Sequence, residues 1–293
     1  MKKHHLSMIF VNVMWGLSVV ASKHAMNSGF TPLVLACARY AIASACLVPF
    51  LLKSEGKMTL RRKDILPMVL SGFVGITAYY YFEYHGISRT SAVDASLILA
   101  AIPILTMVAE AVLYRTKMRS MQVLGSLASL GGVALIVAGS AQEQATLVGN
   151  LFILGAAVVW VAYIFLSRRL REDYSSLAMN TWQALSALLT LLPLTLTEAC
   201  DISAIPWDGW AAAALLAVIC SALCYYMYGN SLSAMSPLAS AIYINLIPLT
   251  TIISGVLFLG ETLTWVNALG GLLIIISIAM VNLSDIRKDG QSA

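Results

Sequence analysis

Ten apolar stretches of about 20 residues, the length that crosses a bilayer core, follow one another near 6–26, 32–52, 65–87, 91–114, 120–139, 148–167, 175–196, 208–230, 237–259 and 265–284. The run "LFILGAAVVWVAYIFLS" contains no charge at all. In hydrocarbon the backbone amides have no water to bond, so runs this long must be helical. Composition agrees, since 59% of the 293 residues are hydrophobic and only 11% charged, whereas a soluble domain carries about a quarter. The expected fold class is an all-α integral membrane protein of ten transmembrane helices joined by short loops.

The basic residues orient these spans. With a cytoplasmic N-terminus, Lys2, Lys3, Lys53, Lys57, Arg61, Arg62, Lys63, Arg115, Lys117, Arg119, Arg168, Arg169, Arg171, Arg287 and Lys288 all fall on the cytoplasmic side, 15 of 18 in total. The outer loops carry Glu143, Glu198, Asp201, Asp208 and Glu261 instead. The positive-inside rule therefore predicts a multi-pass protein of the cell membrane with both termini in the cytoplasm. The net charge of +4 is spread over these short loops, a placement that argues topology and against a nucleic-acid partner. Cys37, Cys46, Cys200, Cys220 and Cys224 are an odd, scattered set, read as packing residues and not as a disulfide framework or metal site.

Sliding the chain against itself by 145 residues superposes Trp15 on Trp160, Ser22 on Ser167, Tyr80 and Tyr81 on Tyr225 and Tyr226, Pro103 on Pro248, and Gly125 on Gly270. The shift never changes. Each copy holds five spans, and because five is odd the second enters the membrane inverted. The domain reading is a first five-helix repeat over 1–140 and a second, inverted one over 141–293. Inverted-topology repeats are typical of secondary transporters, whose halves exchange roles as a central site opens to one side and then the other. The repeat also excludes the first apolar stretch as a removable signal peptide, since its copy lies mid-chain.

The stretches "MWGLSVVASK", "PLVLACARYAIAS", "SAVDASLILAAIPILT" and "SPLASAIYINLIPLTTIISGVLFLGETLTWVNALGG", with the five-plus-five repeat, resemble the EamA-type transporters of the drug/metabolite transporter superfamily over nearly the whole chain. The resemblance implies an EamA fold and export of small metabolites, often amino acids. The family pattern has a glutamate thirteen residues after the proline. Glu261 fits it after Pro248, whereas Thr116 stands at that place after Pro103.

Charges within spans are costly and mark functional candidates. They are Arg39, Glu83, His85, Asp94 and Glu110, with Lys23 at the outer end of the first span, and the second repeat is uncharged at the equivalent positions except for Arg168 in a cytoplasmic loop. At about 1.5 Å per residue, Arg39 lies roughly 10 Å below the outer boundary and Glu83, Asp94 and Lys23 within roughly 7 Å of it. One outer cluster of Arg39, Glu83 and Asp94 is the expectation. Glu110 falls in the inner third of its span and reaches for the cytoplasmic interface. At 100° per residue Glu83 shares a face with Gly72, Ile76, Tyr79 and Tyr80, while His85 points away. Tyr79, Tyr80 and Tyr81 also fit an interfacial belt.

Polar and aromatic stripes mark further lining surfaces: Asn12, Trp15, Ser18 and Ser22 in helix 1, Trp160, Tyr163 and Ser167 in helix 6, and Asn180, Gln183 and Thr190 in helix 7. Pro103 and Pro248 each free the carbonyl four residues earlier, making them hinge candidates, with Asn245 beside the second. The substrate-binding candidates are therefore Arg39, Tyr79, Tyr80, Trp15, Trp160, Tyr163 and Asn245. Proton coupling needs a carboxylate that can take up and release a proton facing each side in turn; Glu83 is the first candidate, with Asp94 and Glu110 behind it.

The function expected is a secondary exporter of small metabolites such as amino acids, working by alternating access, with protons as the coupling ion. Efflux of cationic drugs is the alternative, because acidic and aromatic linings suit them. An intramembrane enzyme is disfavoured, since neither HExxH nor GxSxG is present and each would supply the chemistry by a known geometry. No Walker A pattern is present, so the chain carries no ATP-binding signature. No cofactor or metal is expected. Gly125, Ser129, Gly132, Gly270 and Gly271 read as close helix packing, the protein being a monomer or a weak homodimer through them.

Overall fold

The structure, a computed structural model, describes residues 2–115, 118, 120–139, 144–232, 243 and 246–289. Among these every regular element is helical. The helices are α1 (Lys2–Asn27), α2 (Pro32–Glu55), α3 (Arg62–Ile87), α4 (Ala92–Tyr114) and α5 (Ser120–Gly139), followed by α6 (Gln144–Asp173), α7 (Ser176–Thr195), α8 (Trp207–Leu215 continuing through Leu216–Leu223 and Cys224–Leu232), α9 (Leu246–Leu259) and α10 (Trp265–Asp289). Eight of them carry windows long and apolar enough to cross a membrane, and the described apolar stretches of α9 and α10 are shorter. The ten-helix architecture expected from the apolar stretches is the one observed.

Local chemistry sets the ends. Pro32 opens α2 after extended Thr31, and Gly56 closes it in the left-handed conformation (φ 72°), its N–H donating to the Leu52 carbonyl, as glycine alone does without strain. The Ser91 and Ser175 hydroxyls accept from the N–H groups of Asp94 and Ala178 at the starts of α4 and α7, satisfying amides that have no partner inside the helix.

Two departures from regular helix matter for the site. α4 stops at Leu99, turns at Ala100 and Ala101 and restarts at Ile102, because Pro103 has no N–H to give the Leu99 carbonyl. The hinge candidate Pro103 therefore follows a two-residue interruption of the helix at Ala100 and Ala101. Second, α3 passes through a π segment over Phe73–Ala78, and α8 through another over Leu216–Leu223. Under the 145-residue shift 73–78 falls on 218–223, so the rare i→i+5 turn recurs at the same place in both repeats, just before the paired tyrosines.

The packing follows the repeat. α1 packs against α8 and α9, and its counterpart α6 packs against α3 and α4, while α2 meets α7 and α5 meets α10. Each half thus places its first helix among the third and fourth helices of the other. At the α5–α10 contact a Cβ on Gly132 would stand 2.5 Å from the Gly270 carbonyl oxygen, so these glycines pack helix on helix within one chain. The surface is apolar, with Leu66, Val112, Leu189 and Phe258 exposed, whereas Asn12, Arg39, Asn150 and Gln183 are buried. That inversion of the soluble pattern is what lipid demands.

Candidate functional site

The repeat brings its equivalent residues to one cavity of about 460 Å³, within the usual size range of small-molecule sites. Trp15 and Trp160 line it, as do Ser18 and Tyr163, Tyr80 and Tyr225, Glu83 and Tyr228, Ile102 and Ile247, and Pro103 and Pro248, each pair separated by 145 positions. The cavity lies where the two halves meet. It also carries residues of one half only: Arg39 and Tyr79 from the first, Asn180 and Gln183 from the second. Toward the α6–α7 connection it is lined by Tyr174 and Ser176.

The walls are two aromatic groups. Trp15 of α1 stacks against Tyr225 and Tyr228 of α8, with ring centroids 5.3 and 5.0 Å apart. Trp160 of α6 lies 4.9 Å from Tyr79 of α3 and 5.0 Å from Tyr163. Tyr163 reaches α3 because Gly75 stands in its π segment, where a Cβ would fall 2.3 Å from the Tyr163 ring. Tyr79 and Tyr80 are buried against the cavity, and of the three consecutive tyrosines Tyr81 is the exposed one. The interfacial belt is therefore reduced to Tyr81.

Two opposite charges face this space. Arg39, 3% exposed, donates through Nε to the Ser221 hydroxyl at 2.7 Å and through Nη1 to the Tyr84 hydroxyl at 2.8 Å, with its guanidinium carbon 4.8 Å from the Tyr80 ring centre. Glu83, 8% exposed, accepts through Oε1 from the Tyr79 hydroxyl at 2.9 Å. Among the described residues no carboxylate oxygen lies within 4.0 Å of the Arg39 nitrogens. Both charges are held by hydroxyl groups and not by each other. Gln183 accepts from the Tyr163 hydroxyl and donates to Ser71, and Asn180 donates to the Ser221 carbonyl, which fixes the polar wall of α7. At the α6–α7 end the Tyr174 hydroxyl donates to Asp64 at 2.8 Å and accepts from the Arg61 backbone N–H at 3.1 Å.

The expected outer cluster is corrected. Asp94 does not join Arg39 and Glu83; it accepts from the side-chain amides of Asn150 on α6 and Asn267 on α10 at 3.2 and 2.7 Å. It is the third residue of α4, and at 100° per residue it sits about 160° around the helix from Ser96, which lines the cavity. Glu110 is exposed toward the C-terminal end of α4 and does not line the cavity. Asn245 lies outside the described residues. Tyr84 and Ser221, which hold Arg39, were not singled out by the sequence; Tyr84 follows Tyr80 by one helical turn, and that spacing was the available signal. Among the described residues no three His, Cys, Asp or Glu side chains come together as a metal site.

The model of the EamA-like transporter family matches the chain twice, over residues 2–138 and 147–283. Similar proteins include the uncharacterized transporter YvbV of Bacillus subtilis (strain 168), 30% identical over 281 residues covering 94% of this chain and 90% of the relative. The uncharacterized transporter YyaM of the same organism is 27% identical over 256 residues, 85% of this chain and 84% of the relative. A protein of Streptantibioticus cattleyicolor named a probable terminal-alkyne amino-acid exporter is 25% identical over 280 residues, 94% of this chain and 92% of the relative. One crystal structure shares the fold with a TM-score of 0.68 at 19% identity, covering 98% of both chains. With its family model matched in each half and its aromatic cavity between them, the chain belongs to the EamA-like transporter family, as a membrane protein that moves a small molecule.

Proposed function

We propose that the protein is a secondary exporter of small zwitterionic metabolites, amino acids among them, in the cell membrane with both termini cytoplasmic. It works by alternating access between the halves 1–140 and 141–293, coupled to protons. The observation that carries this reading is the pair Arg39 and Glu83: one buried cation and one buried carboxyl group line the same cavity without a direct ion pair between them. A guanidinium whose partners are two hydroxyls keeps donors for a substrate carboxylate, which it binds bidentately. Glu83 can receive an ammonium group or a proton. Trp15, Trp160, Tyr79, Tyr80 and Tyr163 take the apolar part of the substrate, and Pro103, with the helix break before it, and Pro248 are the hinges. Among the coupling candidates Glu83 leads, because Asp94 is already bonded by two amides and Glu110 does not line the cavity.

The name of the amino-acid exporter among its relatives is consistent with this substrate class. The test is flux in proteoliposomes with and without a pH gradient, screening amino acids and organic cations. Saturable amino-acid flux stimulated by the gradient is the expected result. Saturable flux of organic cations alone would replace it with the drug-efflux reading, and saturable flux of neither would refute export.

A further inference from the structure

At the end of the bundle opposite Tyr174 and Ser176, beyond Val19, Glu83 and Ser96, the cavity ends and a second polar network begins. Glu261 follows Gly260, which turns the chain after α9 in the left-handed conformation (φ 66°). Its two carboxylate oxygens accept from the backbone N–H groups of Ala92 and Val93 at 2.7 and 3.0 Å. A residue of the second half thereby caps the first turn of α4 in the first half, where the unpaired amides and helix dipole favour an anion. The Lys23 ammonium of α1 lies 3.6 Å from Glu261 and donates to the Thr90 carbonyl.

One turn into α4, Asp94 takes amide donors from α6 and α10, and the Thr90 hydroxyl donates to the Asn150 side-chain oxygen at 2.6 Å. The outer end of α4 is thus tied to α1, α6, α10 and the α9–α10 turn at once. None of these side chains lines the cavity.

The inverted half does not repeat this chemistry. Shifted by 145 positions, Lys23 becomes Arg168, but Thr90 becomes Met235, Asp94 becomes Ala239 and Glu261 becomes Thr116. Both carboxylates are lost. At the Tyr174 end the described ties are different in kind and place: Arg61 pairs with Asp173 at 3.3 Å and the Tyr174 hydroxyl donates to Asp64 at 2.8 Å, joining the start of α3 to the α6–α7 connection.

We propose that Glu261 and Asp94 are the latch of the Lys23 end: they hold the first turn of α4 against α1, α6 and α10, and their release is the step that opens the cavity on that side. With this latch engaged, the conformation closed at Lys23 and open toward Tyr174 is the resting one. α4 is suited to this, because its break at Ala100–Ala101 lets the first two turns move apart from the rest.

The inference rests on alternating access but is tested without any substrate. Ser96→Cys, at the outer end of the cavity, is labelled in the full chain with a membrane-impermeant maleimide, in right-side-out and inside-out vesicles, and the modified peptide is read by mass spectrometry apart from the native cysteines. With a minor open state populated at 10% or less, labelling from the Lys23 side should be at least about tenfold slower than from the Tyr174 side. Glu261→Gln and Asp94→Asn should bring the ratio toward one by accelerating labelling from the Lys23 side alone. Asn267→Ala, a milder change, should do so in part. Equal labelling from both sides of the native latch, an unchanged ratio in all three variants, or acceleration from both sides alike would overturn the latch. A protein that carried no substrate in proteoliposomes would refute export and leave this result standing.

Discussion

Arg39 and Glu83 line one cavity from neighbouring helices, yet the guanidinium is held by Tyr84 and Ser221 and the carboxylate by Tyr79. A buried ion pair broken by removing one partner costs about 3–5 kcal/mol, because it strands the other charge. Two charges that are not paired leave no such debt. In a double-mutant cycle of Arg39→Ala and Glu83→Gln, read by thermal unfolding in detergent, the interaction energy should stay below about 1 kcal/mol. Rescue of an unstable Arg39→Ala protein by the second change would instead make the pair structural.

Tyr84→Phe deletes one hydroxyl that accepts from Arg39 and also from Ser22, at 3.4 Å. A buried charged donor that loses its acceptor costs about 1–3 kcal/mol. The variant should unfold at lower temperature and bind substrate more weakly, because the guanidinium is no longer aimed. Unchanged half-saturation in a flux assay would remove Tyr84 from the positioning of Arg39.

Gly132 and Gly131 are neighbours with opposite surroundings. A Cβ at Gly132 would meet the Gly270 carbonyl oxygen at 2.5 Å, whereas one at Gly131 meets nothing within 4 Å. Gly132→Ala should therefore destabilise the α5–α10 contact by about 1–3 kcal/mol as overpacking does, and Gly131→Ala should be neutral or slightly stabilising through helix propensity. Equal melting temperatures for the two variants would contradict the packing described.

Much of this was legible in the sequence because the constant shift of 145 fixes which residues must be equivalent. Trp15 with Trp160 and Pro103 with Pro248 were visible as repeats, and the structure brings both pairs to one cavity. Depth was legible too, since rise per residue is nearly constant along a helix. Azimuth was not: Asp94 lies near Glu83 in depth but on the far side of α4 from Ser96, facing Asn150 and Asn267. The π segments had no residue signature, and each rotates the residues before it relative to those after it, as with Gly72 and Glu83 on α3. Partners such as Ser221, 182 positions from Arg39, depend on how helices dock, which periodicity within one helix does not encode.

On the proposed reading the shared cavity carries the substrate and Glu83 is its coupling carboxylate. Glu83→Gln in proteoliposomes tests it most directly, with two readings on one preparation: substrate counterflow at equal pH, and net flux under a pH gradient. Counterflow should persist while stimulation by the gradient is lost. Gradient-driven flux that survives with unchanged pH dependence would contradict it.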